Sequence, residues 1–333
     1  MNKLNRQSGI SLVEILVSLV ISLFLLGGIV QVYSGNKATF KFTGALAELQ
    51  ENGRFALEMM TQDLRLAGTW GCVAFDASET DNINSELTTM VNYDPLLHDF
   101  AGQPPVEGDN NNGLNGSDSL TIRGGKPGQS NVTGPFAPVA TPEVTIAGEA
   151  RIGGNDIVLV ARCGANDLLI DEDADIMRVT ASFYDSNTDK TRLSLAGNKT
   201  QRYENDSSVI EMQTVTYSIQ NSDLNTNEPA LVRTEFDNQP EQLIEGVEDM
   251  QVLYGVDEDG DGFPNRYREA QDVVDFNTVV AVRIMLLLRS FDDRVTEDPQ
   301  TYTFNGSPPI TPNDRRIRQV FTTTIALRNR VGS

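Results

Sequence analysis

The pattern of apolar and polar residues near the N-terminus predicts a helix that spans a membrane. A short polar leader ends at Gly9, and 22 residues without a charge run from Ile15 to Asn36. As a helix rising about 1.5 Å per residue, this segment crosses a hydrocarbon core of about 30 Å. One acid, Glu14, lies at its start. A carboxylate costs free energy in lipid, so it usually has a partner or a function there.

The same helix is predicted to continue beyond the membrane as an amphipathic segment. Apolar positions recur at steps of three and four, and Gly53 stands in one of them. The stripe consists of Phe42, Leu46, Leu49, Leu57, Met60 and Leu64. Gly68 suits the position after a last helical turn, so we predict one helix from Ile10 to Ala67. Its first half should face lipid, and its second half should pack on a head.

From Trp70 onward the pattern changes to strands separated by turn residues. Several stretches alternate apolar and polar residues, as in VTYSI from Val215 to Ile219. The predicted strands are Ser119–Arg123, Asp156–Arg162, Ile176–Tyr184, Thr214–Ile219, Ala230–Thr234, Gln251–Tyr254, Val279–Leu288 and Arg318–Leu327. The segments 99–117, 126–150 and 292–314 are predicted to be mostly loops.

These patterns divide the chain into four parts and predict an α+β fold. The parts are a leader (1–9), a transmembrane half-helix (10–36), an amphipathic half-helix (37–68) and a β-rich head (69–333). Strands and helices do not alternate along the head, which argues against a parallel α/β sheet. An antiparallel sheet packed on the end of the long helix is the natural layer arrangement.

The charge of the chain limits where the head lies and what it binds. Lys3 and Arg6 precede the span and predict a cytoplasmic N-terminus, which puts the head outside the cytoplasm. The formal net charge is −21, and removing the leader with its two basic residues takes it to −23. Such a charge argues against direct nucleic-acid binding, which requires Lys and Arg to displace counterions.

The junction between leader and span distinguishes among N-terminal signals. A secretory signal has an apolar region of about 7–15 residues before a small-residue cleavage site, whereas here Gly9 precedes a longer run. A plain anchor explains the length but neither Glu14 nor the Gly9–Ile10 junction. The segment resembles the class III signal of type IV pilins and type II secretion pseudopilins. That resemblance implies cleavage after Gly9, N-methylation of Ile10, and Glu14 as the fifth residue of the mature chain.

The two cysteines, Cys72 and Cys163, fall in the exported head. In an oxidising compartment an even number favours a disulfide, and two separate buried thiols are the alternative. A zinc site is not expected, because the chain has one histidine, His98, and no CxxC spacing.

An acidic stretch, YGVDEDGDGFPNRYRE, resembles the first half of an EF-hand calcium loop. Asp257, Asp259 and Asp261 occupy positions one, three and five, and glycine follows at six. Phe263 would supply a backbone carbonyl at seven, and Asn265 stands at nine. Position twelve, where a bidentate glutamate is expected, holds an arginine instead. The stretch therefore predicts either a calcium site that departs from the motif or an acidic turn between two strands.

The sequence does not predict an enzyme. With a single histidine, most Ser–His and Cys–His arrangements cannot be built, and the chain has no P-loop and no HExxH. A basic group near the C-terminus can be interpreted in two ways. The arginines either pair with nearby acids along a strand or form a docking surface for an acidic neighbour. They are Arg315, Arg316, Arg318, Arg328 and Arg330.

Three stretches resemble one family in particular. They are LQENGRFALEMMTQDLRLAG with the following TWGC, then QVLYGVDEDGDGFPNRY, then RRIRQVFTTTIALRNR. Together they resemble PilW-family minor pilins of type IV pili in Gram-negative bacteria. The resemblance implies a pilin-like fold, processing by the prepilin peptidase, and residence in the inner membrane with a periplasmic head. It also implies that Glu14 is the assembly glutamate and that Cys72 and Cys163 form the head disulfide.

The same resemblance implies partners and a role. Members of the family join other minor pilins in a complex that primes assembly of the major pilin on the inner-membrane platform. The complex is expected at the filament tip, often with a large adhesin, and serves motility, adhesion or DNA uptake. A J-type minor pseudopilin of type II secretion is the first alternative. The second is a membrane-anchored calcium-binding or adhesive head that never joins a filament.

Overall fold

One long helix, α1, spans Leu12–Leu66 and leads into a β-rich head. The computed structural model describes residues 11–71, 83–85, 87, 100, 102–163, 174–224, 228–235 and 239–329. Ser11 is the N-cap of α1 and Ala67 its C-cap, and Gly68 follows with a φ of +67°. The predicted helix is therefore confirmed to within a residue at its C-terminal end, and Ile10 lies outside the described residues.

The strands of the described head form two sheets. The strands are β1 Ile83–Ser85, β2 Val106–Asp109, β3 Ser119–Gly125, β4 Ser130–Asn131, β5 Glu143–Ala147, β6 Ile157–Arg162, β7 Ala174–Asp185, β8 Lys190–Leu195, β9 Ser207–Asn221, β10 Pro229–Glu235, β11 Glu241–Glu245, β12 Val247–Val256, β13 Arg266–Arg268, β14 Val279–Arg289 and β15 Arg318–Ala326. The larger sheet has 11 strands and the smaller has four, in the order β13–β12–β14–β15. Apart from the parallel β1–β7 pair, every pairing in these sheets is antiparallel. The predicted α+β architecture is confirmed.

All eight predicted strands are present, but two of the three predicted loops were wrong in part. The segment 99–117 contains β2, and the segment 126–150 contains β4 and β5. These strands have two to five residues, too few to show a clear alternating pattern among glycines and prolines. They form because longer strands already present an edge with which they pair. Within 292–314 the only strand-like pairing is an isolated bridge between Tyr302 and Ile310, as a loop would allow.

The smaller sheet packs one face against the second half of α1. Leu49, Met60 and Leu64 lie in the core, as the predicted stripe requires. Gly53 lies against the ring of Phe321 in β15, where an added Cβ would come within 2.6 Å of the ring carbons. The prediction that Phe42 belongs to the buried stripe is wrong, because its side chain is 40% exposed. Ala56, which the stripe omitted, is fully buried.

The larger sheet meets the same helix from the other side. Strand β9 is its most connected member and pairs with β3, β4, β6 and β10. Residues of α1, of β9 and β10, and of the smaller sheet belong to one hydrophobic core. Trp70, which follows the helix, is buried in a separate cluster with Phe100. The helix therefore contacts both sheets.

Candidate functional site

The predicted assembly glutamate lies at the first turn of α1. The Glu14 carboxylate accepts a hydrogen bond from the backbone N–H of Ser11, at 3.0 Å, and the Ser11 hydroxyl accepts one from the N–H of Val13, at 3.3 Å. This is a capping box, which satisfies amides that a helix start leaves unpaired. Glu14 is exposed in the single chain. The predicted cleavage junction, Gly9–Ile10, lies outside the described residues.

The first half of α1 has the properties of a membrane span. It is long and apolar enough to cross a membrane, and none of its most apolar part is buried in the head. The hydroxyls of two serines in this segment donate to backbone carbonyls one turn earlier in the helix. Ser18 donates to the carbonyl of Glu14 and Ser22 to that of Ser18, both at 2.7 Å. These two hydroxyls therefore need no partner from another chain.

The predicted calcium loop connects β12 to β13. The ligand oxygens of Asp257, Asp259 and Asp261 all lie within 4.8 Å of one another. Asp257 accepts hydrogen bonds from the backbone amides of Gly262 and Gly260, both at 2.8 Å, and of Asp259 at 3.2 Å. These bonds, that from Gly262 first, lower the pKa of the Asp257 carboxyl. The loop thus holds the three carboxylates close to one another.

The rest of the loop supports this arrangement incompletely. The N–H of Phe263 donates to Asp261 at 2.9 Å, and its ring is 67% exposed. Asn265 bridges the loop, donating to Asp259 at 3.2 Å and accepting from the N–H of Glu258 at 2.6 Å. Arg268, at position twelve, forms an ion pair with Glu258 at 2.7 Å. The three carboxylates and the carbonyl of Phe263 could hold a hard cation, but the usual bidentate carboxylate at position twelve is missing.

Calcium binding at this loop stays a prediction. We expect weak affinity, with a Kd of about 10⁻⁴–10⁻³ M as in extracellular modules, because position twelve contributes no oxygen. Calorimetric titration of the full-length protein in detergent should give one binding event, which Asp259→Ala abolishes. Asp223→Ala, an exposed acid elsewhere, is the matched control. Equal heats in wild type and Asp259→Ala would refute the assignment.

A second arrangement, which the sequence analysis did not find, joins α1 to the larger sheet. Asp63 of α1 accepts a hydrogen bond from the hydroxyl of Tyr217 in β9 at 2.6 Å. It also pairs with Arg233 of β10 at 3.0 Å. Burial, followed by the Asp63 charge, raises the pKa of Tyr217. We call these three residues the helix–head lock. Asp63 falls on the polar side of the amphipathic pattern, so the sequence alone gave no sign that it is largely buried.

A larger ionic arrangement joins the two sheets. Arg289, at the end of β14, pairs with Glu228 and Glu248 at 2.8 and 2.9 Å. Arg316 pairs with Glu228 at 2.8 Å, and Arg318 with Glu248 at 2.6 Å. Arg318 also pairs with Asp314 at 2.7 Å. We call this the six-charge network, since three arginines and three acids balance within it.

Two family comparisons match the chain. The prokaryotic N-terminal methylation motif matches residues 4–30, which include the leader, Glu14 and most of the apolar run. The model of type IV pilus-assembly protein W, PilW, matches residues 216–329. The chain is similar to the PilW family over residues 216–329, and the two matches together support a pilin associated with the type IV pilus. This similarity implies prepilin peptidase processing and contacts with other pilus components. No curated protein and no solved structure matches the chain.

The PilW match covers the whole of the smaller sheet and part of the larger one. Residues 216–329 include the end of β9, all of β10 to β15, the acidic loop and the whole six-charge network. Two of the C-terminal arginines belong to the six-charge network and have a structural role. Arg316 and Arg318 are engaged by acids, as one of the two interpretations required. Arg328 is exposed, and Arg330 lies outside the described residues.

The disulfide between Cys72 and Cys163 stays a prediction. Cys163 follows β6, and its sulfur lies 3.4 Å from the hydroxyl oxygen of Ser208. Cys72 lies outside the described residues. We expect denatured, unreduced protein to react with no thiol reagent and reduced protein to react at two sites, because a bridge consumes both cysteines. Two reactive thiols before reduction would show that the cysteines are separate.

Proposed function

We propose that this chain takes part in initiating type IV pilus assembly, in a complex with other minor pilins at the filament tip. The observation that carries the proposal is the bare first half of α1 with one carboxylate, Glu14, in its first turn. An apolar helix without any cover from its own head needs lipid or other apolar helices around it. A filament of pilin helices supplies such neighbours.

The chemistry of Glu14 suits contact with a second subunit. In the single chain its carboxylate accepts one hydrogen bond, from the N–H of Ser11. A carboxylate offers about four acceptor positions, so most of its capacity is open. The free amine of a neighbouring pilin's first residue would complete an ion pair. In lipid such a pair favours the docked register, because the unpaired carboxylate is costly there.

The charge of the chain favours a small number of copies rather than a repeating subunit. Cleavage after Gly9 would leave a net charge of −23. Many copies of so acidic a head would repel one another along a filament. One copy among different partners avoids this repulsion. This supports a minor role at the tip over a role along the shaft.

The proposal includes the processing of the chain, its location in the membrane and its assembly partners. The prepilin peptidase cuts between Gly9 and Ile10, and the helix stays in the inner membrane of a Gram-negative cell with the head in the periplasm. The minor-pilin complex then meets the assembly platform and the major pilin, and a tip adhesin can join it. The PilW match, rather than the N-terminal motif, favours the pilus over the J-type pseudopilin alternative.

Replacing Glu14 with alanine is expected to lower the number of pili by at least about tenfold, which corresponds to about 1.4 kcal/mol of lost pairing energy. Pilus number and length should be measured by electron microscopy in cells that make only the variant. An initiation defect leaves few pili of normal length, whereas an elongation defect leaves short ones. Wild-type numbers of pili would refute the proposed role.

Two controls accompany this experiment. Glu51→Ala changes an exposed acid on the head-proximal half of α1 and should leave piliation unchanged. The N-terminal sequence of Glu14→Ala protein should still begin at Ile10, which separates an assembly defect from a processing defect. If Glu14→Ala instead lowers protein secretion and leaves pili intact, the pseudopilin alternative is correct.

A further inference from the structure

Strand β15 lies at the end of the smaller sheet and leaves one edge open. It pairs with β14 on one side, from Arg318 opposite Arg289 to Ala326 opposite Ala281. No strand of the described residues pairs with its other side. Leu327 donates to Val280 at 2.9 Å, so the odd-numbered residues of β15 form the ladder with β14. The backbone N–H and C=O groups of the even-numbered residues therefore point away from the sheet.

The backbone N–H and C=O of Arg318, the first outward-facing residue, already have hydrogen-bond partners in a side-chain amide. The Gln300 amide donates to the carbonyl of Arg318 at 3.1 Å and accepts from its N–H at 2.8 Å. No such group covers Val320, Thr322, Thr324 or Ala326 in the described part of the chain. All four residues are exposed. The edge is therefore blocked at Arg318 and open from Val320 onward.

The sequence of this edge lacks the usual protection against pairing. Exposed edge strands in natural proteins generally contain a lysine, a proline or a bulge that prevents a further strand from adding. From Gln319 to Ala326 the chain has no charge and no proline, and the β14–β15 register has no bulge. Threonine, valine, isoleucine and phenylalanine favour strands. The segment is thus well suited to accept another strand.

The surroundings of the edge define the chemistry of the incoming strand. Gly53 of α1 lies against Phe321 of β15. At 100° per residue, the half-buried Leu57 and Thr61 and the exposed Arg54 share the flank of α1 that lies away from Asp63 and the larger sheet. On the other face Arg283 donates to the Thr324 hydroxyl at 3.2 Å, and Arg328 follows the strand. None of these three arginines forms an ion pair within the described residues.

We infer that the open edge of β15 is a docking site for an extended segment of a different protein, which adds to the smaller sheet as an antiparallel or parallel strand. Alternate side chains of that segment are apolar toward Leu57 and polar beside Thr322, and acidic residues at its ends meet Arg54 and Arg328. A second copy of this chain fits poorly, because two β15 edges would bring these arginines against their own counterparts. The inference concerns the head and does not depend on Glu14.

Binding of a synthetic peptide to the full-length protein in detergent micelles tests the site. The peptide alternates valine and threonine, begins and ends with glutamate, and has the length of β15. Fluorescence anisotropy should show saturable binding, and hydrogen exchange at residues 320–326 should slow. The same peptide N-methylated on the amides of both of its edges cannot pair with β15 and should not bind. Absence of binding by the unmodified peptide, or equal binding by the methylated one, overturns the proposal.

Variants of β15 provide the second arm of the test. Thr322→Pro removes an outward N–H that the β14 ladder does not use, a position where proline is tolerated. It should raise the Kd of the peptide about tenfold, whereas Thr322→Ala should change it less than about twofold. Unchanged affinity in a folded Thr322→Pro protein overturns the proposal. So does a dimer of the full-length protein that Thr322→Pro abolishes, because a second copy then occupies the edge.

Discussion

Replacing Glu248 with glutamine is expected to lower the free energy of unfolding of the head by about 3–5 kcal/mol, the cost of breaking a largely buried ion pair. Glu248 accepts from Arg318 and Arg289 at 2.6–2.9 Å. The Arg318 side chain is only 3% exposed. Glutamine fills nearly the same space but carries no charge. Each of the two arginines would therefore lose part of the negative charge that neutralises it.

The consequence reaches beyond one contact because the network joins separate parts of the fold. Glu228 precedes β10 of the larger sheet, whereas Glu248 and Arg289 belong to β12 and β14 of the smaller one. Next to them Gly246 donates to Pro229 and accepts from Arg289, at 2.7 and 2.8 Å. Loss of Glu248 should therefore weaken the junction between the sheets as well as the start of β15.

Urea unfolding of the detergent-solubilised protein measures this effect. Trp70 is the only tryptophan and is buried in the head, so its fluorescence reports head unfolding. Glu241→Gln, an exposed acid on β11, should shift the transition by less than about 0.5 kcal/mol. If Glu248→Gln and Glu241→Gln unfold at the same urea concentration, the network does not stabilise the head.

The pH dependence of stability gives an independent check on the same network. Burial acts to raise the pKa of Glu228, but hydrogen bonds from Arg289 and Arg316 outweigh it and lower the pKa. Hydrogen bonds from Arg318 lower the pKa of Asp314 to about 2. Lowered carboxyl pKa values add stability above the unfolded pKa of about 4. We expect that stability to be lost as the pH falls from about 4 to about 2.

Replacing Asp63 with alanine is expected to release the end of α1 from the larger sheet at a cost of about 1.5–3 kcal/mol, the range for hydrogen bonds to charged groups. The change leaves the Tyr217 hydroxyl without its acceptor at 2.6 Å. Arg233 keeps Glu235 at 3.3 Å but loses its closer partner. Since Asp63 and Arg233 are both largely buried, water replaces the lost contacts incompletely.

A double-mutant cycle with Tyr217→Phe isolates the hydrogen bond within the helix–head lock. The coupling energy should lie in the range of about 0.5–3 kcal/mol found for contacting residues. Hydrogen exchange should also speed up in α1 near residue 63 while the membrane half stays unchanged. Glu51→Ala is again the control, because it removes an exposed acid from the same helix. Additive effects of Asp63→Ala and Tyr217→Phe would mean that the two side chains are not coupled.

Agreement between prediction and structure was greatest where one residue pattern was long enough to dominate. The helix and all eight predicted strands came from periodicity over many residues. Short strands such as β2 and β4 were missed, because their pairing depends on neighbours distant in sequence. Phe42 was placed in the core because its spacing fits the stripe, yet its side chain is 40% exposed. Glu228, Glu248 and Asp63 carried no local signal, since an acid that will be buried looks like any other.

Residue order along the chain was enough to predict the apolar N-terminal helix, the place of Glu14 at its start, the antiparallel class of the head and the similarity to PilW. Each depends on local order, in which spacing along the chain sets which side chains share a face. Which charges pair and which stay exposed, by contrast, depends on the folded arrangement of the chain. The C-terminal arginines show this most clearly. Arg316 and Arg318 close the six-charge network, whereas a few residues later β15 keeps an open edge, because pairing depends on what lies across space rather than along the chain.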